Sequence, residues 1–385
     1  MSTSPRTVSP ARAFGTAAAV GLVLSLALAA PGFAAGVERP LEREFAAASM
    51  HKVELENLAG TVTLIAAAGG VLRVRATVFA EDSAGKSAQA LADSLRVEFD
   101  ESAGTLRVRA VYPVAEHTRY HHPRQEAEES GSEWSLGWPG SSTSMLKYQG
   151  ARVRVSGSRA GGAATLYADF ALEVPAGVAV VAKNAVGSIT STGVAADQTL
   201  DSSSGPIRVA DGKGALVLDT GSGAITVDRH DGDVLADTGS GNVALRSVSG
   251  TRLAIDTGSG NIDLESCRGS VAADTGSGDV VVLGLVAGRS FHADTGSGDV
   301  RAEGDFGAVR DLVIDTGSGD VTLTLSAAPS LRLAVSTGSG EVDLDLDGVK
   351  LRRLSGDEMV AELGSAEGEG SIDTGSGDVL LRAAR

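Results

Sequence analysis

The chain has 385 residues, of which 50 are glycine and 4% are aromatic, and its formal net charge is −16. A chain this acidic lacks the basic face that nucleic-acid binding requires, so we expect no nucleic-acid partner. Many glycines and few aromatic side chains are unusual for a globular enzyme, and they favour thin aliphatic coils with many turns. Cys267 is the only cysteine, which excludes an intrachain disulfide and any multi-cysteine metal site.

Residues 1–35 have the pattern of a secretory signal peptide. Arg6 and Arg12 precede an apolar run from Ala17 to Ala30, and small residues follow this run. The run is shorter than the roughly 20 residues that a membrane-spanning helix needs, and no comparable run follows. We therefore expect an exported protein in the periplasm, at the cell surface or outside the cell, with no stable membrane span. An uncleaved membrane anchor is the alternative.

Residues 36–112 are predicted to form an N-terminal β region with one short helix. Apolar and polar residues alternate from Val53 to Ala80 and again from Leu95 to Tyr112, which indicates strands. Between them, the alanine-rich segment from Lys86 to Leu95 is typical of a helix.

Residues 113–165 are rich in glycine, serine, histidine and charge, and we interpret them as a flexible loop or insertion. His117, His121 and His122 lie close to several glutamates there, a combination that can bind a transition metal. A solvated loop is the favoured interpretation, because no rigid scaffold is evident around these histidines.

Residues 166–385 are predicted to form a repeat domain. Asp-Thr-Gly-Ser-Gly occurs seven times, and the first six copies follow one another at intervals of 18 to 21 residues. The copies begin at Asp219, Asp237, Asp256, Asp274, Asp294, Asp315 and Asp373. Weaker copies begin at Asp201 and Ser336, and a degenerate coil at 355–357 is expected to fill the gap before Asp373. Fixed periods near 20 residues are typical of solenoids, whose coils must stack because none has a core of its own.

Apolar residues lie one and three places before each turn aspartate, for example Leu216 and Leu218 before Asp219, and the alternation resumes after the turn at Ile225 and Val227. This is the period of a strand. A near-identical turn at a constant period favours parallel stacking over hairpins. The fold class is therefore all-β, a parallel β-solenoid (single-stranded β-helix) of about ten coils with N-terminal β strands and one short helix.

Several segments resemble a bacterial adhesin-like family, a β-solenoid domain of unknown function. They are 41–45 (Leu-Glu-Arg-Glu-Phe), 53–57 (Val-Glu-Leu-Glu-Asn), 60–64 (Gly-Thr-Val-Thr-Leu), 170–177 and the repeated Gly-Ser-Gly-Asp-Val turns. The resemblance covers most of residues 38–385. It implies a surface or envelope protein, and it brings no catalytic residues or cofactor to this chain.

The Asp-Thr-Gly-Ser turn also occurs in aspartic proteases, which need two aspartates that share one proton in a single cleft. A regular stack would instead place the seven aspartates in a column along one edge, so we do not expect proteolysis. Turn chemistry is the favoured interpretation: the aspartate accepts backbone N–H bonds, the glycines adopt conformations other residues avoid, and the threonines bond along the stack.

Calcium binding is the alternative for these turns. Carboxylates stacked about 4.8 Å apart repel one another by roughly 1 kcal/mol per pair in water. Some coils carry a second aspartate five residues after the first, and calcium favours such clusters of oxygens. The calcium candidates are Asp274, Asp279, Asp294, Asp299, Asp315, Asp320, Asp373 and Asp378.

We therefore predict a non-catalytic secreted or cell-envelope scaffold with an adhesin-like binding surface, most suited to an envelope polysaccharide or a protein surface. The acidity of the chain favours a soluble monomer. The alternatives are a calcium-binding repeat protein and a β-helix polysaccharide-degrading enzyme. An enzyme would need a local group of charges that interrupts the repeat, such as Arg352, Arg353, Asp357 and Glu358.

Overall fold

A computed structural model describes residues 36–123, 143–157, 162–355 and 358–384. The predicted signal peptide at 1–35 lies outside these residues. Ten strands, a short 3₁₀ helix and one α-helix precede the repeats: β1 (Val37–Ala46), the 3₁₀ helix (Ala47–Ser49), β2 (Lys52–Ala59), β3 (Val62–Ala66), β4 (Val71–Ala80), α1 (Ala88–Ser94), β5 (Arg96–Ser102), β6 (Thr105–Val111), β7 (Arg119–His121), β8 (Thr143–Tyr148), β9 (Ala151–Ser156) and β10 (Ala164–Val174).

The α-helix lies within the segment predicted for it. The Ser87 side chain accepts a hydrogen bond from the Ala90 N–H at 3.3 Å and so satisfies one of the free N–H groups of the first turn. Leu91 and Ala92 are fully buried, and this small apolar side attaches the helix to the N-terminal strands.

The repeats form two stacks of parallel strands, and the predicted parallel solenoid is confirmed. The strands that lead into each turn, most of which end at its threonine, form the first stack: β11 (Ala179–Val186), β13 (Gln198–Ser202), β15 (Leu216–Thr220), β17 (Val234–Thr238), the second half of β18 (Val243–Thr257), β20 (Arg268–Thr275), the second half of β21 (Val280–Thr295), β23 (Asp311–Thr316), β25 (Leu331–Thr337) and β29 (Gly368–Thr374).

The strands that follow each turn form the second stack: β12 (Ile189–Thr192), β14 (Ile207–Ala210), β16 (Ile225–Asp231), the first half of β18, β19 (Ile262–Glu265), the first half of β21, β22 (Val300–Asp305), β24 (Val321–Ala327), β26 (Val342–Asp345) and β30 (Val379–Ala383).

Both stacks pair like positions with like positions. Asp219 lies opposite Asp237, and Ile225 lies opposite Val243. The inward residues of the coils form one continuous aliphatic core, in which Leu218 and Val227, for example, are at most 1% exposed. Because a coil this thin has no interior of its own, each coil is stabilised by its neighbours.

The first stack and the second stack both begin in the N-terminal region. β2 pairs in parallel with β11, and β3 pairs in parallel with β12, so residues 52–66 form a coil that continues the repeat array. This coil is separated from its neighbour by more than a hundred residues of chain. Antiparallel strands then close this end, with β5 on β6, and β1 and β10 on β4.

The other end of the solenoid is built out of sequence order. The last coil, β29 and β30, lies between the coil of β23 and β24 and the coil of β25 and β26. The degenerate coil predicted at 355–357 falls mostly outside the described residues, and the described residues on either side form the antiparallel pair β27 (Lys350–Ser355) and β28 (Glu358–Leu363) in place of a coil. β28 pairs antiparallel with β25, so the chain changes direction before β29 begins. The final coil then lies one place inside the end of the stack, between two coils that precede it in the sequence.

The segment predicted as a loop, 113–165, contains three strands in its described part. β7 pairs in parallel with β9 and β10, and β8 pairs antiparallel with β9. Tyr120 and Val155 are buried, so apolar side chains that alternate over only a few residues are enough to attach this small sheet to the core.

Candidate binding surface

A threonine closes each turn of the repeat. The Thr220 hydroxyl accepts the Gly223 N–H at 3.1 Å and donates to the Gly205 carbonyl of the preceding coil at 3.0 Å. Thr275 makes the same two bonds. These hydroxyls are almost fully buried, so the threonines form a ladder that joins the coils. The sequence predicted threonine bonding along the stack, but it assigned the acceptor of the turn N–H to aspartate, and the structure gives that role to threonine.

The second glycine of the turn is required by close backbone contact. A Cβ atom at Gly223 would lie 2.1 Å from the carbonyl oxygen of Gly205 in the preceding coil. A Cβ atom at Gly278 would lie 2.0 Å from that of Gly260. Neither residue has a positive φ, so the reason for glycine is space between stacked turns and not an unusual conformation.

The hydroxyl ladder continues into the N-terminal coils with amide side chains. Asn57 lies opposite Asn184, and the two side chains are joined by a 3.0 Å hydrogen bond from Nδ2 to Oδ1. Asn184 also donates to the Gly60 carbonyl at 2.8 Å, as threonine does in later coils. Sequence reasoning missed these residues. The signal that could have found them is a polar residue three places before a glycine, as in 57–60, 184–187, 202–205 and 220–223.

The turn aspartates form the predicted column on the outward side of the first stack. In spatial order the column consists of Asp201, Asp219, Asp237, Asp256, Asp274, Asp294, Asp315 and Asp373. Lys183 lies beyond one end, 3.7 Å from the Asp201 carboxylate, and the Ser336 hydroxyl bonds Asp373 at the other. Between these ends, no ion pair reaches the column in the part of the chain that the structure describes. The column is therefore a line of uncompensated negative charge.

The environment of the column raises the pKa of several members. Partial burial raises the pKa of Asp219, and the neighbouring carboxylates Asp201 and Asp237 raise it further. The same two causes raise the pKa of Asp256 and Asp294. These directions agree with carboxylates that repel one another at the spacing of adjacent strands.

A second column, of mostly apolar residues, runs beside the aspartates. It lies two positions earlier on each strand and contains Val217, Leu235, Ala254, Ala272, His292 and Val313. Leu235 is 48% exposed, and Val217 and Val313 are almost as exposed. The small Ala254 and Ala272 leave a shallow groove of about 410 Å³ between the larger side chains, and Asp256, Asp274 and Asp294 line one side of it. We call these two columns together the acidic face.

The remaining calcium candidates form a separate column at the far side of the turn. The Asp279 carboxylate accepts the Asp299 backbone N–H at 2.9 Å, Asp299 accepts that of Asp320, and Asp320 accepts that of Asp378. One oxygen of each carboxylate is thus used to join the coils. Within the described residues no group of three or more His, Cys, Asp or Glu side chains is close enough to hold a metal ion.

The two other candidate clusters have different surroundings. His121 and His122 are each 7% exposed, and burial is the largest cause that lowers the pKa of both side chains. The loop glutamates near them lie outside the described residues. In the second cluster Arg352 forms an ion pair with Glu362 at 2.7 Å, while Asp357 lies outside the described residues.

The Toastrack DUF4097 family matches residues 176–382. The chain belongs to the Toastrack DUF4097 family. The matched Toastrack region contains every coil that carries the acidic face. No curated protein matches this chain.

Two solved structures are similar to this Toastrack protein over most of its length. One is a candidate cell adhesion protein from Clostridium sporogenes ATCC 15579, 9% identical, which covers 90% of this chain and 100% of that one with a TM-score of 0.19. The other is a candidate lipid-binding protein from Parabacteroides distasonis ATCC 8503, 12% identical, which covers 89% and 96% with a TM-score of 0.40. At these TM-scores neither structure supports a conclusion about function.

Within the described residues, no helix combines the length and the apolar character needed to cross a membrane.

Proposed function

We propose that this chain is a non-catalytic scaffold of the cell envelope, exported by its N-terminal segment, which binds a partner along the acidic face. The observation that carries the proposal is the unbroken column of aspartates beside the exposed Leu235 and Val313. Val217, Leu235 and Val313 are exposed apolar side chains on the same face as the aspartates, and exposed apolar side chains grouped beside polar residues are typical of interaction sites. Such a long, regular surface suits an extended partner that makes many weak contacts.

Binding at this face fits a scaffold better than an enzyme. The carboxylates of the face are equivalent and in line, whereas acid-base catalysis needs groups whose surroundings drive their pKa values apart. The groove is shallow and lies on the outside of a sheet, so it does not exclude water from a reacting group. No single residue of the face is therefore expected to dominate its activity.

The proposal is tested with two variants that remove the same number of charges. The face variant is Asp256→Asn/Asp274→Asn/Asp294→Asn, on the side of the groove. The opposite-face variant is Glu265→Gln/Glu303→Gln/Asp343→Asn, at exposed outward positions of the second stack. Both sets keep side-chain shape, so a difference between them reports on the location of the charge.

Purified residues 36–385 would be immobilised and exposed to bacterial cell-envelope fractions and to an array of envelope polysaccharides. We expect wild-type protein and the opposite-face variant to retain an envelope component equally, and the face variant to retain at least fivefold less. Equal retention by the face variant would remove the acidic face from the proposal, and no retention by any of the three proteins would overturn the proposed function.

Calcium binding is a second candidate function, favoured by the column of turn aspartates, which no ion pair neutralises between Asp201 and Asp373 within the described residues. Millimolar calcium should then raise the melting temperature of the wild-type protein more than the same concentration of magnesium does. The rise should be smaller in the face variant. A melting temperature that calcium leaves unchanged would contradict specific calcium sites.

A further inference from the structure

The acidic face places two requirements on its partner, one of charge and one of shape. The shape comes from the groove, where the small Ala254 and Ala272 lie between the larger Leu235 and His292. Strand residues two positions apart are separated by about 6.6–6.8 Å, so the apolar column and the aspartate column are parallel and about that far apart. A single extended chain is narrow enough to contact both columns at once.

The charge requirement comes from the aspartates that flank the groove. Asp256, Asp274 and Asp294 lie in the middle of the column, and Lys183 lies only at its N-terminal end. The chain as a whole is also acidic, with a net charge of −16, which disfavours a second copy of itself as the occupant. Charge complementarity therefore points to a basic partner with apolar residues among its cations.

The spacing of the column selects the conformation of that partner. Adjacent coils are about 4.8 Å apart, so every second aspartate recurs after about 9.6 Å. A polyproline II helix has three residues per turn and a rise of about 3.1 Å, so it repeats after about 9.3 Å. Four turns of a polyproline II helix and eight coils of the solenoid therefore differ in length by only about 1 Å. A partner β-strand repeats its side after about 6.6–6.8 Å, and it loses register with the aspartates within one or two coils.

We propose that the acidic face binds a basic segment of a partner protein in the polyproline II conformation, with Lys or Arg at every third residue. The cations lie along the aspartate column, and the residues between them, proline in the simplest case, lie over the groove formed by Leu235, Ala254 and Ala272. This inference rests on the proposed function, because it names the chemistry of the partner for the same face. The preformed extended shape of such a segment reduces the entropy lost on binding.

The probe is a fluorescent peptide of five Lys-Pro-Pro repeats, measured by fluorescence anisotropy with purified residues 36–385 at low salt. The matched control peptide has the same five lysines and ten prolines in irregular order, so its charge and composition are identical. We expect the regular peptide to bind at least tenfold more tightly than the irregular one. Added salt should weaken the binding of both peptides, because the contacts are between exposed charges.

The protein variants locate the binding. The face variant should bind the regular peptide at least tenfold more weakly than wild type does, and Leu235→Ser should bind it severalfold more weakly. The opposite-face variant should bind it as wild type does. Equal binding of the two peptides would overturn the inference, since it would show general electrostatic attraction without register. Unchanged binding by the face variant would overturn it as well.

The failure of this inference can be distinguished from failure of the proposed function. If the protein binds the regular and the irregular peptide equally but retention of envelope material still depends on the acidic face, the partner chemistry is wrong and the scaffold proposal holds. If neither measurement depends on the acidic face, the partner chemistry and the assignment of binding to this face are both wrong.

Discussion

Replacing Thr275 by valine tests whether the hydroxyl ladder holds the coils together. Valine has nearly the same shape, so the substitution removes the hydroxyl and leaves the packing of the turn unchanged. Two buried backbone groups lose their partner: the Gly260 carbonyl, now 2.8 Å from the hydroxyl, and the Gly278 N–H, now 3.1 Å from it. Each buried polar group left unpaired costs about 1–3 kcal/mol, so we expect a total loss of about 2–6 kcal/mol in the free energy of unfolding.

Urea unfolding followed by far-ultraviolet circular dichroism gives the overall loss. Hydrogen-deuterium exchange with mass spectrometry, on peptides that cover residues 256–280, shows whether the loss is local to the two coils. Thr275→Ser keeps both bonds and should retain most of the stability, and Ser277→Ala, at an exposed position of the same turn, should change it by less than about 0.5 kcal/mol. If Thr275→Val unfolds and exchanges as wild type does, the ladder does not stabilise the stack.

Three further changes have defined outcomes. Gly278→Ala places a Cβ atom 2.0 Å from the Gly260 carbonyl oxygen and should cost more than about 3 kcal/mol by urea unfolding, whereas Gly69→Ala, with nothing within 4 Å, should be neutral. Burial lowers the pKa of His230, whose Nε2 lies 2.7 Å from the Gly214 carbonyl oxygen, so the folded state resists protonation. The contribution of neutral His230 to the free energy of unfolding is complete above about pH 6.5 and is lost as the pH falls below that value. His230→Asn should therefore make the free energy of unfolding less dependent on pH between about pH 7 and 5. The same pH dependence in the variant and the wild type would contradict this. Deletion of residues 368–385 removes the coil that separates β23 from β25, so limited proteolysis should cleave 331–345 rapidly and spare the earlier coils; equal resistance of both regions would contradict the stacking order.

The sequence predicted those features that recur within each repeat. The alternation at Leu216 and Leu218 and the constant turn fix strand direction, inward residues and the aspartate column, because neighbouring coils have identical local patterns. The order of the last coils was not predictable in this way. The turns at Asp315 and Asp373 are the same, so nothing in either turn determines which coil stacks on it.

The groove follows from the same turn alignment, because Leu235, Ala254, Ala272 and His292 each lie two places before a turn aspartate. The inward residues were identified from this alignment, but the sizes of the outward side chains were not compared, so the two small alanines between larger neighbours were missed.

The placement of the last coil has a consequence for protein synthesis. A solenoid with its coils in sequence order can add each coil as it leaves the ribosome. Here the coil of β25 and β26 has no final neighbour until residues 368–383 have been translated. A fusion partner joined directly behind β30 would begin beside an inner coil of the array, so a long flexible linker is needed there, whereas a partner joined before residue 36 leaves assembly of this end undisturbed.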